Sequence, residues 1–283
     1  MKRNQRLIHA SASGFRKGSS REDAPAFDDL IQGLSGLPAL NAGADGAPRY
    51  APTVLVDKLT GHALGSMIGM ALFHRERTGQ GQEVHVPMLE TTLSFLLIEH
   101  LWWATLGETE RGVGYPRMMT PHRRPYPTKD GFISVIASSD AQYARLLTAL
   151  GRPELIEDTR FATMAARALN IDAVLGVLTE GLRTRTTSEW LAILTEADIP
   201  CGNAAGLADL FQDDYLRDTG FFQSAQHPME GAVTLPAIAP AFSASPASVR
   251  RLWPALGEHT REVLREAGFA DTEIEAAITE AAG

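Results

Sequence analysis

The sequence predicts an α/β protein that contains a parallel sheet. Of its 283 residues, 44% are apolar, which is enough for one large or two modest hydrophobic cores. Three adjacent segments then indicate a strand, a helix and a strand: a β-prone run at Thr53–Val56, helical spacing over Leu59–Arg77, and apolar alternation over Glu83–Met88. Because two strands joined through a helix are typical of a βαβ unit, we expect parallel pairing here.

Two elements are predicted before this unit, a strand at Leu7–Ala12 and a helix at Pro25–Leu34. Gly79 follows the helical pattern and is the expected C-terminal stop of that helix. The first 21 residues carry six Lys or Arg and no acidic side chain. From composition alone, a mitochondrial presequence and a basic loop with a strand are both open interpretations.

The rest of the chain is mainly helical with some strand. Residues Gly112–Asp130 are rich in Gly, Pro, Arg and His and predict a linker or a loop over a site. An Asp-Gly turn and a strand follow, and then a helix capped by Ser139 or Asp140. Thr186 and Glu189 have the spacing of a capping box. A Pro-rich block from about Pro228 ends in two short predicted helices, at Glu258–Ala267 and Asp271–Ala282.

Composition argues against several functional classes. The net charge of −8 disfavours non-specific nucleic-acid binding. A single cysteine, Cys201, excludes an intramolecular disulfide and favours a reducing, cytoplasmic setting. The longest apolar tract is interrupted by Glu99 and His100, which predicts a buried helix and no membrane span. The histidines lack metal-ligand spacing, so no metal site is predicted.

Asp57 stands where the β-prone run meets the helical segment. The residues alone leave two interpretations open, a plain helix cap and a nucleophile. Gly61, Gly65 and Gly69 follow at intervals of four and predict a helix face that packs closely against a sheet, a helix or a ligand.

The order of several segments resembles the family III CoA-transferases, which include the CaiB/BaiF and formyl-CoA transferase-like proteins. The most specific match is RERTGQGQEVHVPMLE, which is similar to the family pattern R-E-x-T-G-x-G-Q-x-V-x-V-S-x-x-E. Further matches occur in family order, namely RLIHASASGF, PAFDDLIQGLSGL, RPELIEDTRFATMAARALN, RTTSEWLAILTEADIPCGN and LGEHTREVL. The resemblance covers essentially the whole chain and favours the strand over the presequence.

This resemblance implies a Rossmann-like large domain, N-terminally incomplete, and a smaller α+β domain. We expect the remaining part of the large domain at 1–111, a linker with the small domain at 112–227, and a C-terminal return segment at 228–283. The opening strand-helix units of the large domain and several residues that grip the CoA nucleotide are expected to be missing.

The resemblance also implies that Asp57 is the nucleophile. Its carboxylate would attack an acyl-CoA thioester, giving a mixed anhydride and then an aspartyl-CoA thioester that an acceptor acid resolves. An aspartate is ordinarily ionised at neutral pH, and a helix N-terminus favours that charge. Backbone N–H groups near this terminus, or the close approach of a glycine, are expected to stabilise the developing oxyanion.

Residues Pro25, Ala26, Phe27 and Asp28 match a family segment that lines the CoA site. Asp28 matches an acidic position close to the active aspartate, although first-turn placement in a helix would by itself favour an acid. The α-methylacyl-CoA racemases, which share the fold, place an acid/base histidine where Phe27 stands. Because phenylalanine cannot carry a proton, the sequence disfavours racemase chemistry.

The family further implies an interlocked homodimer, with linkers that correspond to Gly112–Asp130 and Pro228–Ser245. CoA enters as a thioester substrate and not as a permanently bound cofactor. The glycine-rich loop of formyl-CoA transferases has no counterpart around Pro121–Tyr126, which argues against oxalate as acceptor. The alternative function is a non-catalytic remnant, or a partner subunit, of such an enzyme.

Overall fold

The computed structural model describes residues 4–42 and 46–281. The chain divides into two compact units, Met1–Ala204 and Ala205–Gly283. The sequence-based boundaries at 112 and 228 stay predictions. No helix in the described ranges is long and apolar enough to cross a membrane.

The first part of unit 1 is built on a parallel pair of strands, β1 and β2. Its elements are β1 (His9–Ser13), α1 (Asp28–Ser35), α2 (Leu37–Leu40), α3 (Leu55–Thr78), β2 (Glu83–Pro87) and α4 (Met88–His100). The register of the pair runs from His9 opposite Glu83 to Ser13 opposite Pro87. The predicted strand at Leu7–Ala12 is therefore confirmed, two residues later than expected, and it is the parallel partner of β2.

The predicted strand at Thr53–Val56 is wrong, and so is the βαβ unit based on it. Leu55 and Val56 are the first residues of α3, which begins four residues before the predicted helix. Local β propensity is overridden because Val56 is fully buried against Phe15 and Ile31, as part of a helix. The true crossover from β1 to β2 contains α1, α2 and α3.

Gly79 and Gly81, in the segment RERTGQGQEVHVPMLE, occupy positions where any other residue would be strained. Gly79 ends α3 with a left-handed φ of 75°, as predicted. At Gly81 the backbone runs against residue 7, and a Cβ there would overlap the carbonyl oxygen of Leu7. This close approach lets the Gly81 N–H donate to the Gln5 carbonyl at 2.7 Å and aligns β2 with β1.

The glycine face of α3 packs against no sheet or other helix within the described residues, so that part of the prediction is wrong, and close approach of a ligand stays a prediction. Within the ranges that the structure describes, nothing lies within 4 Å of a Cβ built at Gly61, Gly65 or Gly69, apart from the helix's own backbone. The same helix exposes Met70 and Phe73, which are 63% and 67% accessible. Each of these glycines lowers the stability of the helix without a packing contact to offset it.

The two kinds of glycine predict opposite effects of the same substitution. Gly81→Ala is expected to lower the free energy of unfolding by about 1–3 kcal/mol, because the Leu7 backbone must move to admit the methyl group. The matched control, Gly65→Ala, is expected to raise it by about 0.5–1 kcal/mol through helix propensity. Urea unfolding of both variants measures the difference, and a loss of stability in Gly65→Ala would show that its face is covered in solution.

The second part of unit 1 packs helices on a three-stranded antiparallel sheet. Its elements are α5 (Pro116–Met119), β3 (Tyr126–Pro127), β4 (Phe132–Val135), α6 (Asp140–Ala149), α7 (Met164–Leu169), α8 (Ile171–Leu182), α9 (Thr187–Glu196) and β5 (Cys201–Asn203), with 3₁₀ turns at Trp102–Leu106, Thr109–Arg111 and Pro153–Ile156. The strand order is β3-β4-β5. Ser139 caps α6, and Thr186 with Glu189 forms the predicted capping box of α9. Ile133, Leu146, Leu182 and Trp190 are fully or almost fully buried in the core of this part.

Unit 2 contains a two-stranded antiparallel hairpin and short helices. Its elements are a 3₁₀ turn at Asp209–Gln212, α10 (Asp214–Asp218), β6 (Phe222–His227), β7 (Gly231–Pro236), α11 (Thr260–Glu266) and α12 (Asp271–Ala281). The buried His227 accepts from the Met229 and Glu230 N–H groups at Nδ1, so its Nε2 carries the proton that it donates to the Trp253 carbonyl. The last two predicted helices are confirmed.

Candidate active site

Asp57 lies in the first turn of α3, as its third residue. Its side chain is exposed and forms no hydrogen bond or ion pair within the described part of the chain. The residue before it, Val56, is fully buried. Since neighbouring helical residues point about 100° apart, anchoring Val56 in the core turns the Asp57 carboxylate toward solvent.

Asp28 is the true cap of α3, although it lies 29 residues before Asp57. One of its carboxylate oxygens, Oδ1, accepts from the Val56 N–H at 2.7 Å and from the Asp57 N–H at 3.0 Å. Asp28 is 7% accessible. The two N–H donors and the dipole of α3 both stabilise the Asp28 carboxylate in its buried position.

Gln32 holds the Asp28 side chain in place and also binds the backbone before α3. It follows Asp28 by one turn of α1, is fully buried, and donates to Asp28 Oδ2 at 2.6 Å. The same amide group donates to the Thr53 carbonyl at 3.4 Å, while Oε1 accepts from the Ala51 N–H at 2.9 Å. The pair therefore fixes the segment that leads into α3 as well as the first turn of α3.

This geometry corrects two expectations for Asp57. Asp57 is not a helix cap, because Val54 occupies the cap position and Asp28 supplies the capping oxygen. The N–H groups of the first turn are also not free to act as an oxyanion hole. Those of Val56 and Asp57 are bound by Asp28, and that of Lys58 donates to the Val54 carbonyl.

The four residues predicted to line a CoA site lie on the segment that enters α1. Pro25 and Phe27 are exposed, Phe27 being 74% accessible at the cap position of α1. Ala26 packs against the cluster formed by Phe15, Ile31 and Val56. Asp28 is buried beside the backbone of Asp57. The fold thus brings the two predicted acids together through the backbone of α3, and the role of these residues toward CoA stays a prediction.

Sequence reasoning missed Gln32 and Thr60. The spacing of four between Asp28 and Gln32 on a predicted helix was the available signal for the first. Thr60 lies one turn after Val56, is 4% accessible, and its hydroxyl has no hydrogen-bond partner within the described residues. No sequence pattern distinguishes such a buried, unpartnered threonine from an ordinary helical one.

Solved structures share this fold. A CAIB/BAIF family protein from Brucella suis superposes with a TM-score of 0.73 at 26% identity, covering 93% of this chain and 68% of its own. A Mycobacterium tuberculosis protein in an orthorhombic crystal form gives a TM-score of 0.74 at 23% identity, with 91% and 68% covered. The chain therefore has an α/β fold of the CAIB/BAIF class.

Sequence comparison identifies the family to which the chain belongs. A family model described as CoA-transferase family III matches residues 1–260, and the chain belongs to this family. The acetyl-CoA:oxalate CoA-transferase of Acetobacter aceti is 31% identical over 73% of this chain. The succinate–glutarate CoA-transferase of Agrobacterium fabrum is 29% identical over 93% of it. The chain spans 53% and 66% of the length of these two relatives.

Proposed function

We propose that this chain takes part in acyl-CoA:carboxylate CoA transfer, with Asp57 as the nucleophile. The observation that carries the proposal is the Asp57 carboxylate itself, exposed and unpaired within the described chain on a helix turn that Asp28, Gln32 and Val56 hold in place. A nucleophile needs this combination of a free reactive group and a fixed backbone. The family and the names of the relatives support the reaction class.

The proposed exchange passes through two anhydrides and one thioester on Asp57, and no atom changes its oxidation state. A carboxylate oxygen of Asp57 attacks the thioester carbonyl, the carbon–sulfur bond breaks, and CoA leaves as thiolate from a mixed anhydride. The thiolate attacks the aspartyl carbonyl, releasing the acyl group as a carboxylate and leaving an aspartyl-CoA thioester. The acceptor carboxylate attacks that thioester, expelling CoA thiolate and forming a second anhydride. The thiolate then attacks the acceptor's carbonyl carbon and breaks the anhydride bond, which gives the new acyl-CoA and regenerates the Asp57 carboxylate.

CoA is proposed to pass the segment at Pro25–Asp28, as a thioester substrate. The exposed ring of Phe27 and the exposed Pro25 offer apolar contact area beside the first turn of α3. Asp28 would act there as a positioning residue, because both of its carboxylate oxygens already accept hydrogen bonds from the protein. Trapping the aspartyl-CoA thioester with hydroxylamine, and losing it when Asp57 is replaced, tests the proposed function.

A second candidate is a partner subunit or remnant without its own CoA site. Exposed apolar side chains on two helices that contact each other, α3 and α4, favour it, since Met70, Phe73, Phe95 and Ile98 are between 56% and 81% accessible. Large exposed apolar side chains of this kind are typical of a protein interface. A homodimer of the catalytic chain is the proposal that we prefer, because family members are expected to interlock as dimers.

Light scattering combined with a CoA titration separates these two candidates. The homodimer proposal predicts a mass of twice 30.6 kDa and saturable CoA binding by the chain alone. A monomer at micromolar concentration that binds no CoA would support the partner subunit instead. The measurement is repeated with Phe73→Ser, which removes one exposed ring. This variant is expected to weaken the dimer if the exposed apolar side chains of α3 and α4 form its interface.

A further inference from the structure

Gln32 is a fully buried amide whose donor side and acceptor side are both used. Its Nε2 donates to Asp28 Oδ2 at 2.6 Å and to the Thr53 carbonyl at 3.4 Å, while its Oε1 accepts from the Ala51 N–H at 2.9 Å. A methionine would fill about the same space without the desolvation that burial of an amide requires. The three hydrogen bonds therefore indicate a role for Gln32 beyond filling the core.

The hydrogen bond from Gln32 restricts the rotation of the Asp28 carboxylate. Torsions that end in a carboxylate are broad, so a carboxylate held at one oxygen alone can turn. Oδ1 of Asp28 accepts from the N–H groups of Val56 and Asp57, and Gln32 binds the other oxygen. With both oxygens bound, the plane of the carboxylate is fixed and Oδ1 stays between the two N–H groups. Two consecutive hydrogen bonds thus connect the Gln32 amide to the backbone of Asp57.

The position of the Asp57 carboxylate depends on its backbone, because the side chain makes no hydrogen bond or ion pair of its own within the described chain. Gln32 reaches that backbone by a second route as well, through the bonds to Ala51 and Thr53 in the segment that enters α3. A nucleophile must lie within about 3–3.5 Å of the atom that it attacks, and a misplacement of about 1 Å can lower the rate about a hundredfold.

We propose that Gln32 is a positioning residue for CoA transfer. It orients Asp28, and Asp28 holds the helix turn from which the Asp57 carboxylate attacks. This inference rests on the proposed function, in which Asp57 is the nucleophile. It differs from a role of Gln32 in the fold alone, which would lower stability and leave the turnover of the folded protein unchanged.

Gln32→Met removes the three hydrogen bonds and keeps the length of the side chain. We expect kcat to fall about tenfold, while KM for the acyl-CoA and for the acceptor acid changes by less than about twofold, because Gln32 is buried and acts through Asp57. The assay temperature is one at which circular dichroism shows every variant to be folded. Gln212→Met, at an exposed glutamine of unit 2, is the matched control and should have the kcat of the parent.

Exchanging the two polar groups tests the hydrogen bond itself. Asp28→Asn puts two amide NH₂ groups face to face, and Gln32→Glu puts two carboxylates face to face, so each alone is expected to lower kcat about tenfold or more. The double variant restores a donor and an acceptor, now in the opposite direction. It keeps the acceptors of the Val56, Asp57 and Ala51 N–H groups and loses the longest bond, to the Thr53 carbonyl. We expect its kcat to return to within about threefold of the parent.

Amide hydrogen exchange at Val56 and Asp57 measures the same effect without turnover. Exchange at these two positions should quicken about tenfold in Gln32→Met and return toward the parent rate in the double variant. Parent-like kcat in Gln32→Met would overturn the proposal, as would a double variant no faster than its two components, provided that Asp57→Asn still abolishes transfer. Transfer that survives in Asp57→Asn, or a parent chain without transfer, would overturn the proposed function instead and leave Gln32 with a role in the fold alone.

Discussion

Replacing Asp57 with asparagine is expected to lower the rate of CoA transfer by about a thousandfold or more, because an amide cannot attack a thioester and return as a leaving group. The same variant should lose the hydroxylamine-trapped adduct. In the parent chain, incubation with an acyl-CoA and then hydroxylamine should modify Asp57 alone, as measured by peptide mass spectrometry. The assay uses a panel of acyl-CoA donors with carboxylate acceptors, since the acyl group and the acceptor are not defined by these residues.

The structure indicates that this variant will still fold. The Asp57 side chain makes no hydrogen bond or ion pair within the described chain, and its first-turn charge is worth only about 0.3–1 kcal/mol to the helix. Asp29→Asn is the matched control, an exposed acid in the first turn of α1. It should transfer CoA like the parent. Full activity in Asp57→Asn, or an adduct on another residue, would remove Asp57 from the mechanism.

Asp28→Ala is expected to cost about 2–4 kcal/mol of unfolding free energy, the largest stability effect that we predict for a single side chain here. The substitution leaves the N–H groups of Val56 and Asp57 without an acceptor in a buried position, and it also removes the partner of the Gln32 amide. Hydrogen bonds to charged groups contribute more than neutral ones, and unsatisfied buried donors carry a desolvation penalty. Chemical denaturation measures the change.

Asp28→Asn gives a sharper comparison because its shape is nearly the same. Its Oδ1 can still cap α3, but its NH₂ group would face the NH₂ group of Gln32. If Gln32 rotated its amide to relieve this, the Ala51 N–H would lose its acceptor. We expect a smaller loss than for alanine, about 1–2 kcal/mol. Asp29→Ala should change stability by less than about 1 kcal/mol, and an equally small effect in Asp28→Ala would contradict the capping role.

Asp28 also changes how Asp57 is understood. From sequence, the two acids were separate candidates in two segments, and the first was expected to contact CoA. In the fold, one carboxylate binds the backbone of the other, so replacing Asp28 is expected to affect transfer through the position of Asp57. A fall in kcat with little change in KM is the pattern of a positioning residue, whereas a rise in KM alone would indicate a direct CoA contact.

Local signals in the sequence predicted much of the fold correctly. The alternation at Glu83–Met88, the stop at Gly79 and the capping box at Thr186 and Glu189 all appear where they were expected. These features depend on neighbouring residues, so their physical causes are visible in a short window. The motifs also identified the family, which the family model over residues 1–260 confirms.

The predictions that were wrong share one physical cause, which is their dependence on residues distant in sequence. Thr53–Val56 has the composition of a strand, and it became the entry to a helix because Phe15 and Ile31 bury Val56 while Asp28 and Gln32 bind the adjacent backbone. Those partners lie 19 or more residues away in sequence, where no local pattern reports them. The glycine face of α3 was expected to be covered, and only the three-dimensional arrangement could show it open in this chain.

The sequence by itself therefore determined the α/β class and the family, since each is visible in local patterns or motifs, and it also located Asp57, the proposed nucleophile, directly after residue 56. The tertiary structure decided the direction in which the Asp57 side chain points and the hydrogen bonds that hold its backbone. Burying Val56 sets the rotation of the first turn, and the remote Asp28 carboxylate binds its N–H groups.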